Sequence, residues 1–301
     1  MSSSVYINDV KYPKNKVRYI RCNCWEKFTA KVTKTMSLKI DEHNSEADSG
    51  AIYRGHALKQ WKLSSRLERA FDVKGKFTDQ YGNPTNPNFK KTAKAWYEGV
   101  SKSILTKFVG FCEGMDGIDL NKDENELWAL GRHHGLITPI LDWTESPYIA
   151  AFFAFAELNK SLEFKMVPEK PLYWEKGNVY IWGLRRWRKL QDENEFKILT
   201  LPRPFGSRLW AQAGLFTRLI SNDYINVESY LKRKGLAHYL ECYIIPRKCA
   251  ATVLIDLKLM NITFSTLFPD LYGAAQEANL SELHLRAAQM QSEIFKKEEN
   301  K

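Results

Sequence analysis

No stretch of this 301-residue chain approaches the roughly 20 consecutive apolar residues that a membrane-spanning helix needs; the longest apolar run lies around Ile149 to Ala156. No membrane partner is expected. The first residues, Met-Ser-Ser-Ser-Val-Tyr-Ile-Asn, have no basic flank leading into an apolar stretch, so the chain reads as unsecreted and cytoplasmic. Cysteine is scarce. The five present are odd in number and fit free thiols in a reducing compartment. Cys22 and Cys24 form a Cys-x-Cys with no second Cys or His pair at zinc spacing, so no metal is expected. Cys112, Cys242 and Cys249 read as small core residues. Internal repeats and linkers are also absent, which favours one mixed domain over an array.

Apolar material is plentiful: 44% hydrophobic and 13% aromatic residues suffice for a sizeable core and exclude disorder for the bulk of the chain. The net charge is +10, an excess that favours a polyanionic partner. Arg185, Arg186, Trp187, Arg188 and Lys189 form a basic run with an aromatic inside it, the combination that neutralises phosphates and stacks a base. Two further basic stretches, Lys11 to Arg21 and Lys232 to Lys234, add to it. Each of the three alone is more commonly a solvated face, and together they favour nucleic acid.

Along the chain, residues 5–34 read as β-rich, with alternation from Val17 to Phe28 that places Cys22 and Cys24 on one strand face. Residues 41–50 read as a polar connection, Ala51 to Gly55 as a short strand, and Trp61 to Phe71 as a turn and short helix. A loop is expected over 81–88, then a helix from Phe89 with Gly110 as its candidate stop. Leu127 to Leu130 belong to another helix, ended by Gly131. Asn178 to Gly183 reads as a strand, followed by the basic run and a loop at Pro202 and Pro204. Arg208 to Ile220, Cys242 to Pro246 and Ala251 to Asp256 read as further strands, and Ser281 to Lys297 as a charged helix. The expected division is a β-rich elaboration over 1–50, a main domain over 51–280 and a helical tail over 281–301.

Residues 128–156 carry the densest chemistry. His133, His134, Gly135, Asp142, Trp143, Thr144 and Ser146 crowd in just before an Ala/Phe helix whose N-cap is Ser146 and whose first residue is Pro147. A helix N-terminus beside a hydroxyl suits a phosphate or a ribose. The same residues also fit a well-capped buried helix with an ordinary turn before it.

Tyr53-Arg54-Gly55 followed by Trp61-Lys62-Leu63 resembles the opening of the FRG domain, with tyrosine in place of phenylalanine. His133-His134-Gly135-Leu136, Leu141-Asp142-Trp143-Thr144 and Ser146-Pro147 are similar to that family's central signature. Arg208, Gln212, Gly214 and Phe216 are similar to its Arg-x-x-x-Gln-x-Gly-x-Phe segment, and Thr266 to Leu271 to its closing Leu-Phe-Pro-Asp-Leu. The same segments resemble, at one remove, the ADP-ribosyltransferase fold: Arg54 on a first strand, Thr144-Glu145-Ser146 before an Ala/Phe helix, and Gln212 late in the chain. That resemblance implies an α+β fold with a split antiparallel sheet and flanking helices.

The resemblance further implies an NAD-dependent ADP-ribosyltransferase, with NAD as substrate and no metal. Arg54 is then expected to bind phosphate, Ser146 the nicotinamide ribose or carboxamide, and Gln212 the ribose 2′-hydroxyl. Trp143 or Tyr148 is expected to stack the nicotinamide, with Gly55 and Thr144 in the same binding set. The general base is sought among Asp142, Glu145, His134, Glu228 and Glu241, and Asp142 has the alternative role of orienting His134. The basic runs make nucleic acid, RNA before others, the expected acceptor. The implied setting is a toxin of anti-phage defence with an antitoxin and a chaperone as partners. Two other readings stand beside it: transfer to protein, and a catalytically silent nucleic-acid-binding module of the same fold.

Overall fold

A computed structural model describes residues 4–7, 10–13, 15–37, 50–71, 89–160, 177–186, 190, 195–201, 207–220 and 226–282. The expected loops over 41–49 and 81–88 and around Pro202 and Pro204 lie outside these residues, as do Trp187, Arg188, Lys189 and the tail beyond Glu282. Among the described residues the strands are β1 (Ser4–Ile7), β2 (Val10–Pro13), β3 (Arg18–Arg21), β4 (Ala51–His56), β5 (Ile140–Thr144), β6 (Asn178–Arg185), β7 (Phe196–Leu199), β8 (Gly214–Leu219) and β9 (Leu240–Pro246). The helices are α1 (Trp25–Ser37), α2 (Arg66–Phe71), α3 (Phe89–Cys112), α4 (Glu124–His133), α5 (Pro147–Lys160), α6 (Ser207–Ala211), α7 (Val227–Arg233), α8 (Ala250–Leu259), α9 (Phe264–Leu267) and α10 (271–282).

The fold is α+β, as expected. β1 and β2 pair with each other, and the other strands form one sheet in the order β3-β9-β6-β4-β5-β8-β7. Its pairings are antiparallel except for β3 beside β9, which run parallel. The sheet is nearly split in the middle. β4 pairs with β6 from Ala51↔Arg185 to His56↔Tyr180, and β5 with β8 from Ile140↔Arg218 to Thr144↔Gly214, yet β4 and β5 share a single register pair, Tyr53↔Thr144. Two half-sheets diverging from one pair leave a wedge between them.

Helix α5 closes one side of that wedge. Ser146 starts it, with its Oγ accepting from the Ile149 N–H at 3.3 Å, and Pro147 occupies the first turn, where its missing N–H costs nothing. Ala150, Ala151, Phe152, Ala154, Phe155 and Ala156 are all buried, so the helix is apolar almost all round and packs as a core element. Its small residues let the backbones touch. A Cβ on Gly55 would stand 1.9 Å from the Ala150 carbonyl oxygen and 2.8 Å from the Ala154 nitrogen, so only glycine fits at this point of β4.

Three strand expectations are corrected. The alternation from Val17 to Phe28 is a strand only to Arg21; Asn23 and Cys24 then bend into α1, where Trp25, Phe28 and Val32 recur at helical spacing and are buried. Cys22 is buried at the strand end and Cys24 half-buried in the bend, so they do not share a strand face. Arg208 to Ile220 is not one strand but α6, a bend at Gln212 and Ala213, and β8; Ala213 has φ of +44°, which breaks the run. Ala251 to Asp256 belongs to helix α8, which packs on α5 through Val253 and Leu254; with Ile255 exposed, a run this short carries no periodicity to separate helix from strand. Two helix stops also move: α3 runs through Gly110 to Cys112, and α4 through Gly131 to His133.

Candidate functional site

The wedge between β4 and β5 opens into a cavity of about 670 Å³, within the range of small-molecule sites. Four parts of the chain build its wall. β4 supplies Tyr53, Arg54 and Gly55; β5 supplies Asp142, Trp143 and Thr144; the end of α4 supplies Arg132 and His133; and α5 supplies Phe153 and Glu157. Arg208 and Gln212, then Phe268 and Tyr272, close the far side, and Trp61 and Arg66 stand at the near side.

The polar floor is a set of guanidinium groups around one carboxylate. Arg132 holds Asp142 in a two-pronged pair, Nε to Oδ1 at 3.0 Å and Nη2 to Oδ2 at 2.6 Å. Arg54 donates from Nη1 to the Asp142 backbone oxygen at 2.6 Å and lies 3.6 Å from its Oδ2, while its Nε donates to His56 Nε2 at 3.0 Å. Its Nη2 has no hydrogen bond to the described residues. Arg66 donates to the Gly135 carbonyl, and Arg69, electrostatically coupled to Arg132 and Arg66, donates to the Ser64 carbonyl. Burial pushes the Asp142 carboxyl up, yet Arg132 and Arg54 together hold it below the ordinary value, so it is ionised at neutral pH. Burial lowers Arg54 to about 10, with Asp142 opposing and Arg132 and Arg69 adding, and it keeps its charge. Glu68, in a capping box with Ser65, is raised to about 8 by burial and carries a proton at neutral pH. Arg54, Arg66 and Arg132 line the wall with Arg69 close to them, and together they outnumber the carboxylates there, Asp142 and Glu157. Such a site draws anions.

On the opposite wall Arg208 pairs with Asp270 and lies 5.4 Å from the Phe268 ring centre and 5.6 Å from that of Tyr272. Gln212 donates from Nε2 to the Leu267 carbonyl at 3.1 Å, and its own backbone oxygen accepts from Thr144 Oγ1 at 2.7 Å. Arg208 and Gln212 thus clamp the Leu267–Asp270 segment against the cavity, which places Phe268 in its wall.

Of the residues singled out in the sequence, Arg54, Gly55, Asp142, Trp143, Thr144 and Gln212 line this cavity, and Ser146, Tyr148 and His134 do not. Ser146 is occupied as the cap of α5. Tyr148 packs edge-on against Trp25, and His134 is exposed at the C-cap of α4. Asp142 is engaged by Arg132 rather than by His134. Trp143 is buried, its Nε1 donating to Thr217 Oγ1 at 2.9 Å. Among the other base candidates, Glu145 pairs with Arg186, Glu228 with Lys232, and Glu241 is buried with Arg18, Arg185 and the Tyr243 hydroxyl, all away from the wall. The two described members of the basic run, Arg185 and Arg186, are therefore both tied to carboxylates. The sequence reading had Trp61 as part of a motif but not of the site, and it missed Arg66, Arg132, Glu157 and Tyr272. Arg132 was within sight, adjacent to His133 and ten residues before its partner Asp142. No group of three His, Cys, Asp or Glu able to hold a metal occurs among the described residues, and none of their helices is long and apolar enough to cross a membrane.

Residues 49–163 match the family model of the FRG domain. The match covers Tyr53-Arg54-Gly55, the Arg132–Asp142 pair and all of α5, and ends before Arg208, Gln212 and Phe268. Neither a curated protein nor a solved structure matches the chain.

Proposed function

We propose that the cavity binds NAD and that the chain is an NAD-dependent ADP-ribosyltransferase. The observation that carries this is the arginine excess: Arg54, Arg66 and Arg132 line the wedge with Arg69 close to them, and they outnumber its carboxylates, Asp142 and Glu157, a surplus of positive charge that a pyrophosphate offsets. Trp61 and Tyr272 offer partly exposed rings for the flat groups at the two ends of a dinucleotide.

In the reaction, the bond from the ribose anomeric carbon to the nicotinamide nitrogen breaks, its electron pair leaves with neutral nicotinamide, and the acceptor's nucleophile bonds to the same carbon and loses a proton. The wall need only fix the pyrophosphate, hold the ribose and stabilise the cationic sugar. Asp142 is a poor base because two arginines hold it ionised. Glu157, the other carboxylate of the wall, is assigned the proton and the electrostatic stabilisation. The net charge of +10 supports nucleic acid, RNA before others, as acceptor, and the family resemblance supports a toxin role with an antitoxin and a chaperone. A second reading, a nucleotide-binding module without turnover, is favoured by Gln212, whose amide is spent on the Leu267 carbonyl where a transferase often has a carboxylate.

Incubating the full chain with labelled NAD plus RNA, or plus lysate protein, and weighing both by mass spectrometry tests the proposal. An ADP-ribose mass gain lost in Glu157→Gln, with ADP-ribose still bound, supports it. Binding of ADP-ribose without any transfer or nicotinamide release leaves the silent module. Absence of binding removes both.

A further inference from the structure

His56 closes β4 two residues after Arg54. It is 2% exposed, enclosed by Trp61 and Trp182, whose rings approach it edge-on at 5.8 and 6.5 Å between centres. Its Nε2 accepts the Arg54 Nε–H at 3.0 Å. A buried histidine beside an arginine is unfavourable in its charged form and useful in its neutral one. A carboxylate in that place would bind Arg54 more strongly and cancel its charge, whereas a neutral ring nitrogen fixes the guanidinium plane and leaves the charge intact. The surroundings enforce neutrality: burial, then Arg54 and Arg69, lower its pKa to about 2, and its Nδ1 is buried with no hydrogen-bond partner among the described residues.

We infer that His56 is a positioning residue: as the neutral tautomer with hydrogen on Nδ1 and a bare Nε2, it orients Arg54 so that the remaining guanidinium donors serve an anionic group in the cavity. The division of labour around Arg54 is then complete. Asp142 contributes its backbone oxygen to Nη1 and gives most of its carboxylate to Arg132, and His56 takes Nε without charge. Arg54 is held from two sides while its charge is only lightly compensated, which is the state an anion-binding arginine requires. The consequence for an anionic ligand rests on the nucleotide-binding reading above; the tautomer does not.

The test uses the full chain. Selective ¹⁵N-histidine labelling with long-range proton correlation reads the tautomer of His56, assigned by its loss in His56→Gln. ADP-ribose is the binding probe, titrated calorimetrically into wild type, His56→Leu and His56→Gln, with thermal melts of each. The expected result is the Nδ1–H tautomer, binding weakened roughly tenfold in His56→Leu, and recovery to within about threefold in His56→Gln, whose side-chain oxygen supplies the lost acceptor. A purely structural histidine would instead give a lowered melting temperature with unchanged affinity in both variants. An Nε2–H tautomer in the wild type, or undiminished affinity in a folded His56→Leu, overturns the inference. Should wild type show the Nδ1–H tautomer and bind no ADP-ribose, the His56–Arg54 pairing stands and the nucleotide reading falls.

Discussion

Arg54 Nη1 lies 2.6 Å from the backbone oxygen of Asp142, a hydrogen bond thrown across a seam where β4 and β5 share one register pair. The side chain therefore does two things: it ties the half-sheets together at their weakest pairing and it charges the cavity they enclose.

Arg54→Ala is expected to weaken ADP-ribose binding about ten- to hundredfold, the loss of one or two charge-assisted hydrogen bonds, and to lower the melting temperature by a few degrees because the seam loses its tie. Arg54→Lys should recover little binding, since an ammonium cannot meet His56, Asp142 and a ligand in one plane. Titration calorimetry with parallel melts checks both effects. Wild-type affinity in Arg54→Ala would remove Arg54 from the site.

Gly55→Ala separates packing from binding. The new Cβ would meet the Ala150 carbonyl, a backbone atom that cannot swing away, so α5 must lift from β4. Overpacking of this kind costs about 1–3 kcal/mol or more, and the expected readout is a fall of several degrees in melting temperature. An unchanged melt would show that the helix sits further from the strand than described.

Asp142→Asn removes the carboxylate held directly by Arg132 and Arg54. Stability should fall by about 1–3 kcal/mol, less than for a fully buried pair because the cavity wall is open to solvent. Affinity for inorganic pyrophosphate should rise several-fold at low salt, with a steeper salt dependence. Weaker pyrophosphate binding in a folded variant would mean that Asp142 shapes the site rather than balancing its charge.

How much of this was legible beforehand follows from what each signal depends on. Tyr53-Arg54-Gly55 and the Ser146-Pro147 helix start were readable because turns, caps and close packing demand particular residue types locally. The partners were not. That Arg132 rather than His134 meets Asp142 depends on α4 running past Gly131 to His133, and nothing in a periodicity announces where a helix ends to within a turn. Ala251 to Asp256 looked like a strand because the exposed side of α8 also carries apolar residues, Ile255 among them, so no polar stripe marks the helical period. Gln212 was placed on a strand because the αL residue beside it is alanine, which carries no turn signature.

The pH dependence of stability has a worked sign. Glu68 keeps in the folded chain, up to about pH 8, a proton that the unfolded chain releases near 4.5; its contribution is whole below 4.5 and lost as pH rises toward 8. His56 stays neutral in the folded chain down to about 2, while the unfolded chain charges it below 6.5, so stability falls as pH drops from 6.5; His133 and His238, also lowered by burial, act in the same direction. The two trends oppose each other between 4.5 and 6.5. Melting temperature should therefore peak in that window and decline from 6.5 toward 8, and Glu68→Gln should abolish the decline. A melting temperature that climbs steadily to pH 8 in the wild type would place Glu68 in contact with water.

Gln212 gives the sharpest contrast between resemblance and geometry. If its role is that of the late carboxylate in a transferase, Gln212→Glu preserves NAD hydrolysis and Gln212→Ala abolishes it. The structure assigns its Nε2 to the Leu267 carbonyl, and a carboxylate there presents a lone pair to a lone pair. Gln212→Glu should then be the more damaging change, costing more than the roughly 1 kcal/mol expected for Gln212→Ala, because repulsion is added to the lost hydrogen bond. Both variants loosen the segment that places Phe268 in the wall, so ADP-ribose affinity should fall in the same order as stability, alanine less than glutamate. Melting temperature and ADP-ribose affinity measured on the two variants decide it: a Gln212→Glu protein as stable as wild type would show that the Leu267 contact is dispensable and return Gln212 to the ribose.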